Sequence, residues 1–214
     1  MPRLIQLLLS PVSRLIRLAA GEKRISCNLV AAEDANAHLP VWVEEDGHAV
    51  TGIWAIVDHL ENTYPDPALL PEDAAERGEA LRLLDWSMTI FHDEITRRIV
   101  FEKASQAQTG SHSRRPPNME TVRAGRTALR TTLPPLGALA ESRGFMAGKQ
   151  LTLADLALAA HISALDYYGE IPWPEFPAMT EWYYRLKSRP SFRTLLSDRV
   201  PGQPPALHYG ELDF

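Results

Sequence analysis

The period of the apolar positions changes near residue 65. Before it, short apolar runs bounded by turn residues alternate with helical stripes; after it, apolar residues recur at steps of three and four. Residues 3–9, RLIQLLL, form an apolar run ended by Ser10-Pro11 and predict a buried strand. Ser10 then caps a helix with Pro11 at its first position, continuing through Leu15, Ile16, Leu18 and Ala19 to Gly21. ISCNLVA and PVWVEE predict a second and a third strand. Asp46-Gly47 turns the chain back into a short strand near Ala49 and Val50. Thr51 stands as N-cap of a helix whose apolar set is Ile53, Val57, Leu60 and Tyr64.

Beyond the proline-rich YPDPALLP the pattern is helical. Leu81, Leu84, Met88, Phe91, Ile95 and Ile99 mark one long amphipathic helix. GSHSRRPPN interrupts it, and a helix from Met119 carries Val122, Leu129, Leu133 and Leu136, with Pro134 and Pro135 placed to kink or end it. TLADLALAAHISALDYY opens with Thr152 and Asp155 in capping-box spacing, flanked by Leu151 and Leu156 as a hydrophobic staple. TEWYYRLKSR stops at Pro190, and SFRTLL adds a turn or two. The end, SDRVPGQPPALHYGELDF, has no helical period and predicts either a disordered tail or an extended strap on the surface. The chain divides into a small α/β domain at 1–65, an all-helical domain at 72–196 and a tail at 197–214.

Composition narrows the function classes. At 214 residues and 45% hydrophobic content the chain can bury a sizeable core. A net charge of -5 and a pI near 5.8 lend no electrostatic support to nucleic-acid binding. The lone Cys27 excludes an intrachain disulfide, fits a reducing compartment, and reads as a buried, inert mid-strand residue. The N-terminal apolar run is broken by Pro11, Arg14 and Arg17, too short and too charged to enter a membrane, and its flanks are not those of a signal peptide. A soluble cytoplasmic protein is expected.

Chemistry-bearing residues are few. The helix after Thr51 presents backbone N–H groups suited to an anion, yet its first turn, Gly52 and Ile53, has no side chain able to grip a polar ligand. His92, Asp93 and Glu94 splay around a helix and do not converge on one ion, so no metal site is expected. His161 reads as a core histidine with a hydrogen-bond partner, and Arg14 and Arg17 as residues that steer an anion or, more commonly, a solvated face. Arg123, Arg126 and Arg130 share a helix face, as a solubilising stripe or a docking patch for an acidic partner. The tail carries Leu207, His208, Tyr209, Leu212, Asp213 and Phe214, an apolar and aromatic end of the kind that docks in a groove.

In order and spacing these features resemble the glutathione S-transferase superfamily over residues 1–196. The marks are Ser-Pro-x-Ser-Arg at 10–14, Pro40 before the third strand, Thr51 with Ala55 and Ile56, and FMAGKQLTLADLALAAH. The resemblance implies a thioredoxin-like α/β domain joined to an all-α domain, and a cis Pro40 that turns the Val41 backbone toward a ligand cleft. It also places Ser13, with Ser10 beside it, where the family stabilises a thiolate. The family's acid and Ser, which hold the γ-glutamyl group, fall on Gly52 and Ile53, so the glutathione site is degenerate. A lost charge-assisted bond there costs about 1.5–3 kcal/mol. With only about eight residues between Ala31 and Pro40, the family's second helix is expected to be clipped. Ser10 and Ser13 are then vestigial, with structural roles, and no glutathione is required.

LDYYGEIPW, WYYRLKSRPSFRTLLSDRVPG and HYGELDF resemble more narrowly a bacterial cell-division branch of this superfamily. That likeness implies a homodimer at the division site that binds FtsZ filaments and links them to the septal wall machinery, using the tail and the arginine stripe. The competing expectations are a glutathione transferase acting on small electrophiles or disulfides, and a protein that sequesters apolar ligands.

Overall fold

The computed structural model describes residues 1–32, 38–104 and 116–212. Four strands form one mixed sheet in the order β2-β1-β3-β4: β1 Arg3–Gln6, β2 Asn28–Ala31, β3 Val41–Val43 and β4 Ala49–Thr51. β1 and β2 are parallel, joined by helix α1 (Pro11–Glu22), while β3 runs antiparallel to both β1 and β4. Helix α2 (Ile53–Thr63) closes this thioredoxin-like unit. Trp42 in β3 and Leu4 in β1 are fully buried, because the central strands alternate their side chains into the core under α1 and α2.

Helices make up the rest. α3 (Ala74–Trp86) continues without a break into α4 (Ser87–Phe101), whose turns are widened to i→i+5 spacing. α5 (Met119–Arg143) starts at Asn118, whose side chain accepts from the N–H groups of Glu120 and Thr121. α6 (Leu153–Tyr167) is buried along its whole length, and α7 (Pro177–Lys187) and the short α8 (Arg193–Leu196) complete the bundle. α6 packs on α1, α3 and α4, so it joins the sheet unit to the helical one.

Several expectations are corrected here. β1 ends at Gln6; Leu7 and Leu9 are apolar because they are buried in the turn, with Leu8 half-buried against the core and Ser10 N–H closing on Leu7 C=O. β2 begins at Asn28, and its four residues are exposed; Cys27 precedes it and is half-buried, and burial raises its thiol pKa. Thr51 is the last residue of β4 and not a helix cap. Pro134 and Pro135 do not end α5, which runs through them to Arg143.

The short link between β2 and β3 has a simple explanation. Because β3 is antiparallel to β1 and β2, it starts at the end of the sheet where β2 finishes, and no long parallel crossover is needed. Among the described residues no helix lies between β2 and β3; part of that link, residues 33–37, falls outside the described residues, as does most of GSHSRRPPN.

Candidate functional site

The start of α2 is chemically bare. Its cap is Gly52, at φ 87° and ψ 135°, and no side chain caps it. A Cβ at Gly52 would meet nothing within 4 Å, so space admits a side chain there; the positive φ opposes one, because L residues are strained in it. Ile53 is half-buried against the core, and Trp54 beside it is exposed. The Leu39–Pro40 bond is cis, as the family resemblance implies. Val41, the first residue of β3, is in register with Ile5 of β1 and Thr51 of β4.

Ser10 occupies the N-cap of α1 without a side-chain capping bond. Ser13 is fully buried, and its Oγ accepts from the Leu7 N–H at 3.2 Å. Its hydroxyl fixes the β1–α1 turn and is closed to solvent.

The tail is a strap. Val200 N–H donates to Tyr167 Oη (2.9 Å), Tyr167 Oη–H donates to Gln203 C=O (2.8 Å), and Ala206 N–H donates to Tyr167 C=O (2.8 Å). Leu207–Gly210 then forms a 3-10 turn that drives Tyr209 into the core, where it is completely buried. Tyr209 is therefore no surface contact, which corrects its expected place among partner-facing residues. His208 Nε2 lies 2.9 Å from Asp166 Oδ1. Leu207, 97% exposed, and Leu212 remain at the surface. Asp213 and Phe214 lie outside the described residues.

Two buried polar networks anchor the strap. In one, Arg14 donates to Ser163 Oγ (2.8 Å), Tyr209 Oη (3.1 Å) and Asp198 Oδ2 (3.0 Å), while Arg17 adds two bonds to Asp198 at 2.9 Å. Burial works against the Arg14 charge, but Tyr209 and Asp198 outweigh it and its pKa is raised. In the other, Asp166 accepts from Trp173 Nε1 (2.9 Å), Tyr183 Oη (3.2 Å) and Lys187 Nζ (3.4 Å). Burial lowers the Lys187 pKa and Asp166 opposes it. Arg14 and Arg17 are thus core groups, not a solvated face; their partners lie far along the chain, and no local spacing signals them.

On α5 the three arginines part company. Arg126 makes a bidentate pair with Glu170 (2.7 and 2.9 Å), which Lys103 also binds. Arg130 pairs with Glu175 at the surface, and Arg123 is exposed. His161 is fully buried with Nδ1 2.8 Å from Thr96 Oγ1, while its Nε2 has no partner among the described residues. Among those residues no group of three or more His, Cys, Asp or Glu is placed to hold a metal ion, and no helix is long and apolar enough to cross a membrane.

Comparison with known proteins agrees with this architecture. The glutathione S-transferase C-terminal domain family matches residues 119–185. FtsZ-localized protein A of Caulobacter vibrioides is 39% identical over 96% of this chain and 95% of its own. The structure of FzlA from C. crescentus superposes with a TM-score of 0.92 at 38% identity, covering 100% of this chain and 99% of that one. A glutathione S-transferase from Rhodospirillum rubrum F11 gives 0.93 at 38% identity with full coverage of both chains. The chain belongs to the glutathione S-transferase superfamily, in the family of FtsZ-localized protein A.

Proposed function

We propose that this member of the superfamily is a cell-division protein that binds FtsZ filaments as a cytoplasmic homodimer and links the Z-ring to septal wall synthesis, without required glutathione chemistry. The observation that carries the reading is the 39% identity to FtsZ-localized protein A along nearly the whole chain. Two features of the α/β unit support it. The start of α2 carries Gly52 and Ile53 in place of an acid and a hydroxyl, and the Ser13 hydroxyl is buried in a turn. A nucleophile-activating group acts only on a ligand held in position beside it.

A second reading, a glutathione transferase, draws on the 38% identity to the Rhodospirillum rubrum protein. Co-sedimentation with GTP-assembled FtsZ separates the two. Pelleting with filaments and not without them is the expected result. A protein that stays in the supernatant, and conjugates glutathione to a small electrophile, overturns the cell-division reading.

A further inference from the structure

α5 and the turn that follows α6 enclose a pocket of about 310 Å³, lined by Arg126, Leu129, Arg130, Glu170, Ile171 and Pro172. Its two carboxylate–arginine pairs are not equivalent. Glu170 is almost wholly buried and is held by Lys103 and by both prongs of Arg126. Burial pushes its pKa up, but those cations outweigh it and the pKa is lowered. That carboxylate is satisfied where it stands. Arg130, by contrast, pairs with Glu175 alone among the described residues, and both side chains are about half exposed. A pair of that kind contributes about 0–1 kcal/mol, so another carboxylate can recruit Arg130 at little cost.

Arg123 is exposed one and two turns before Arg126 and Arg130 on the same helix face. Among the described residues Lys103 and Arg126 pair with Glu170 and Arg130 with Glu175, three cations against two carboxylates in a chain whose net charge is -5. Ile171 and Pro172 give the same pocket an apolar wall. We propose that this pocket is a docking site for an acidic peptide segment of a partner protein. A carboxylate of the peptide bonds to Arg130, with Arg123 beside it, and a neighbouring apolar side chain packs on Ile171 and Pro172. The site holds for an acidic partner of any identity, so its failure and that of the FtsZ reading are distinguishable.

Fluorescence anisotropy tests it, with the full chain and a fluorescein-labelled hexapeptide alternating aspartate and leucine. Binding is expected, weakening as salt screens the charges, with no binding of the matching lysine–leucine peptide. Arg130→Ala lowers affinity about fivefold and Arg123→Ala about twofold, whereas Glu175→Gln, which frees Arg130, raises it about threefold. All three side chains are exposed, so the variants keep the wild-type circular dichroism. Equal affinity of wild type and Arg130→Ala, or equal binding of the lysine–leucine peptide, overturns the proposal.

Discussion

Helices α2 and α6 begin in opposite ways. α6 opens on Thr152 and Asp155, and the buried Asp155 carboxylate accepts from the N–H groups of Met146 (2.8 Å) and Thr152 (3.1 Å) and from Trp182 Nε1 (3.1 Å). α2 opens on Gly52 with no side-chain cap. Every residue of α6 is buried, while α2 buries only Ile56, Val57 and Leu60. In a superfamily named for a ligand, no buried polar side chain among the described residues lies on α2. Along α6, Asp155, Ser163 and Asp166 bind the chain's own turns, strap and flanking helices. Buried polar groups must be satisfied, and here the protein itself satisfies nearly all of them.

Breaking the α6 side has the largest expected effect. Asp166→Ala removes the carboxylate shared by Trp173, Tyr183, Lys187 and His208 and leaves the Lys187 charge buried beside it. Removing one partner of a buried pair costs about 3–5 kcal/mol. Urea unfolding should show a loss of that order, and limited proteolysis should cut the strap after residue 198 faster. A loss below about 1 kcal/mol, within the range of a surface pair, would mean that Asp166 does not anchor the strap.

The middle effect lies in the interior of α6. His161 is buried, and burial first, with His92 second, holds its pKa well below the ordinary value; burial also lowers that of His92. Both are lower in the folded state than the unfolded value of about 6.5, so the unfolded state takes up protons first as pH falls. Stability is then fully present above pH 6.5 and falls below it, by up to about 1.4 kcal/mol per pH unit for each such group. The lowered carboxylates, Glu22, Glu44, Glu170 and Glu79 at about 2, lose their contribution only below about pH 4.5. Between pH 6.5 and 5 the two histidines therefore pull stability down, opposed by the buried Asp155 carboxyl, whose pKa burial raises. His161→Gln should flatten that slope in urea midpoints measured across this window; an unchanged slope would assign it to other groups.

How much of this was legible in sequence follows from the range of each interaction. The capping box of α6 spans three residues, and the strand–helix–strand opening rests on periods of two and 3.6, so both are visible in the order of residue types. Arg14 looked like a surface residue because its partners Ser163, Asp198 and Tyr209 lie 149, 184 and 195 positions away. The run Leu7 to Leu9 reads as strand because burial in a turn, here of Leu7 and Leu9, selects the same side chains as burial in a sheet. The barren start of α2 was visible as Gly52 and Ile53, but the positive φ at Gly52 was not, and that backbone angle decides what can be put back there.

The smallest effect tests that last point. Ile53→Ser restores a hydroxyl to the first turn of α2 and removes a half-buried side chain, so stability should fall by about 1 kcal/mol and glutathione affinity, by calorimetric titration, should rise by at most about tenfold. Adding Gly52→Glu supplies the missing acid, whose charge-assisted bond contributes about 1.5–3 kcal/mol. It also places an L side chain at φ 87°, a strain of about 1–3 kcal/mol. The free and the bound protein carry that strain alike, so the double variant should unfold at lower urea while binding glutathione about tenfold or more tightly than Ile53→Ser alone. A double variant that unfolds at the same urea concentration as the single one would mean that the backbone at residue 52 relaxes at no cost. The bareness of α2 would then rest on its side chains, and the contrast with α6 would be one of residue choice and not of backbone shape.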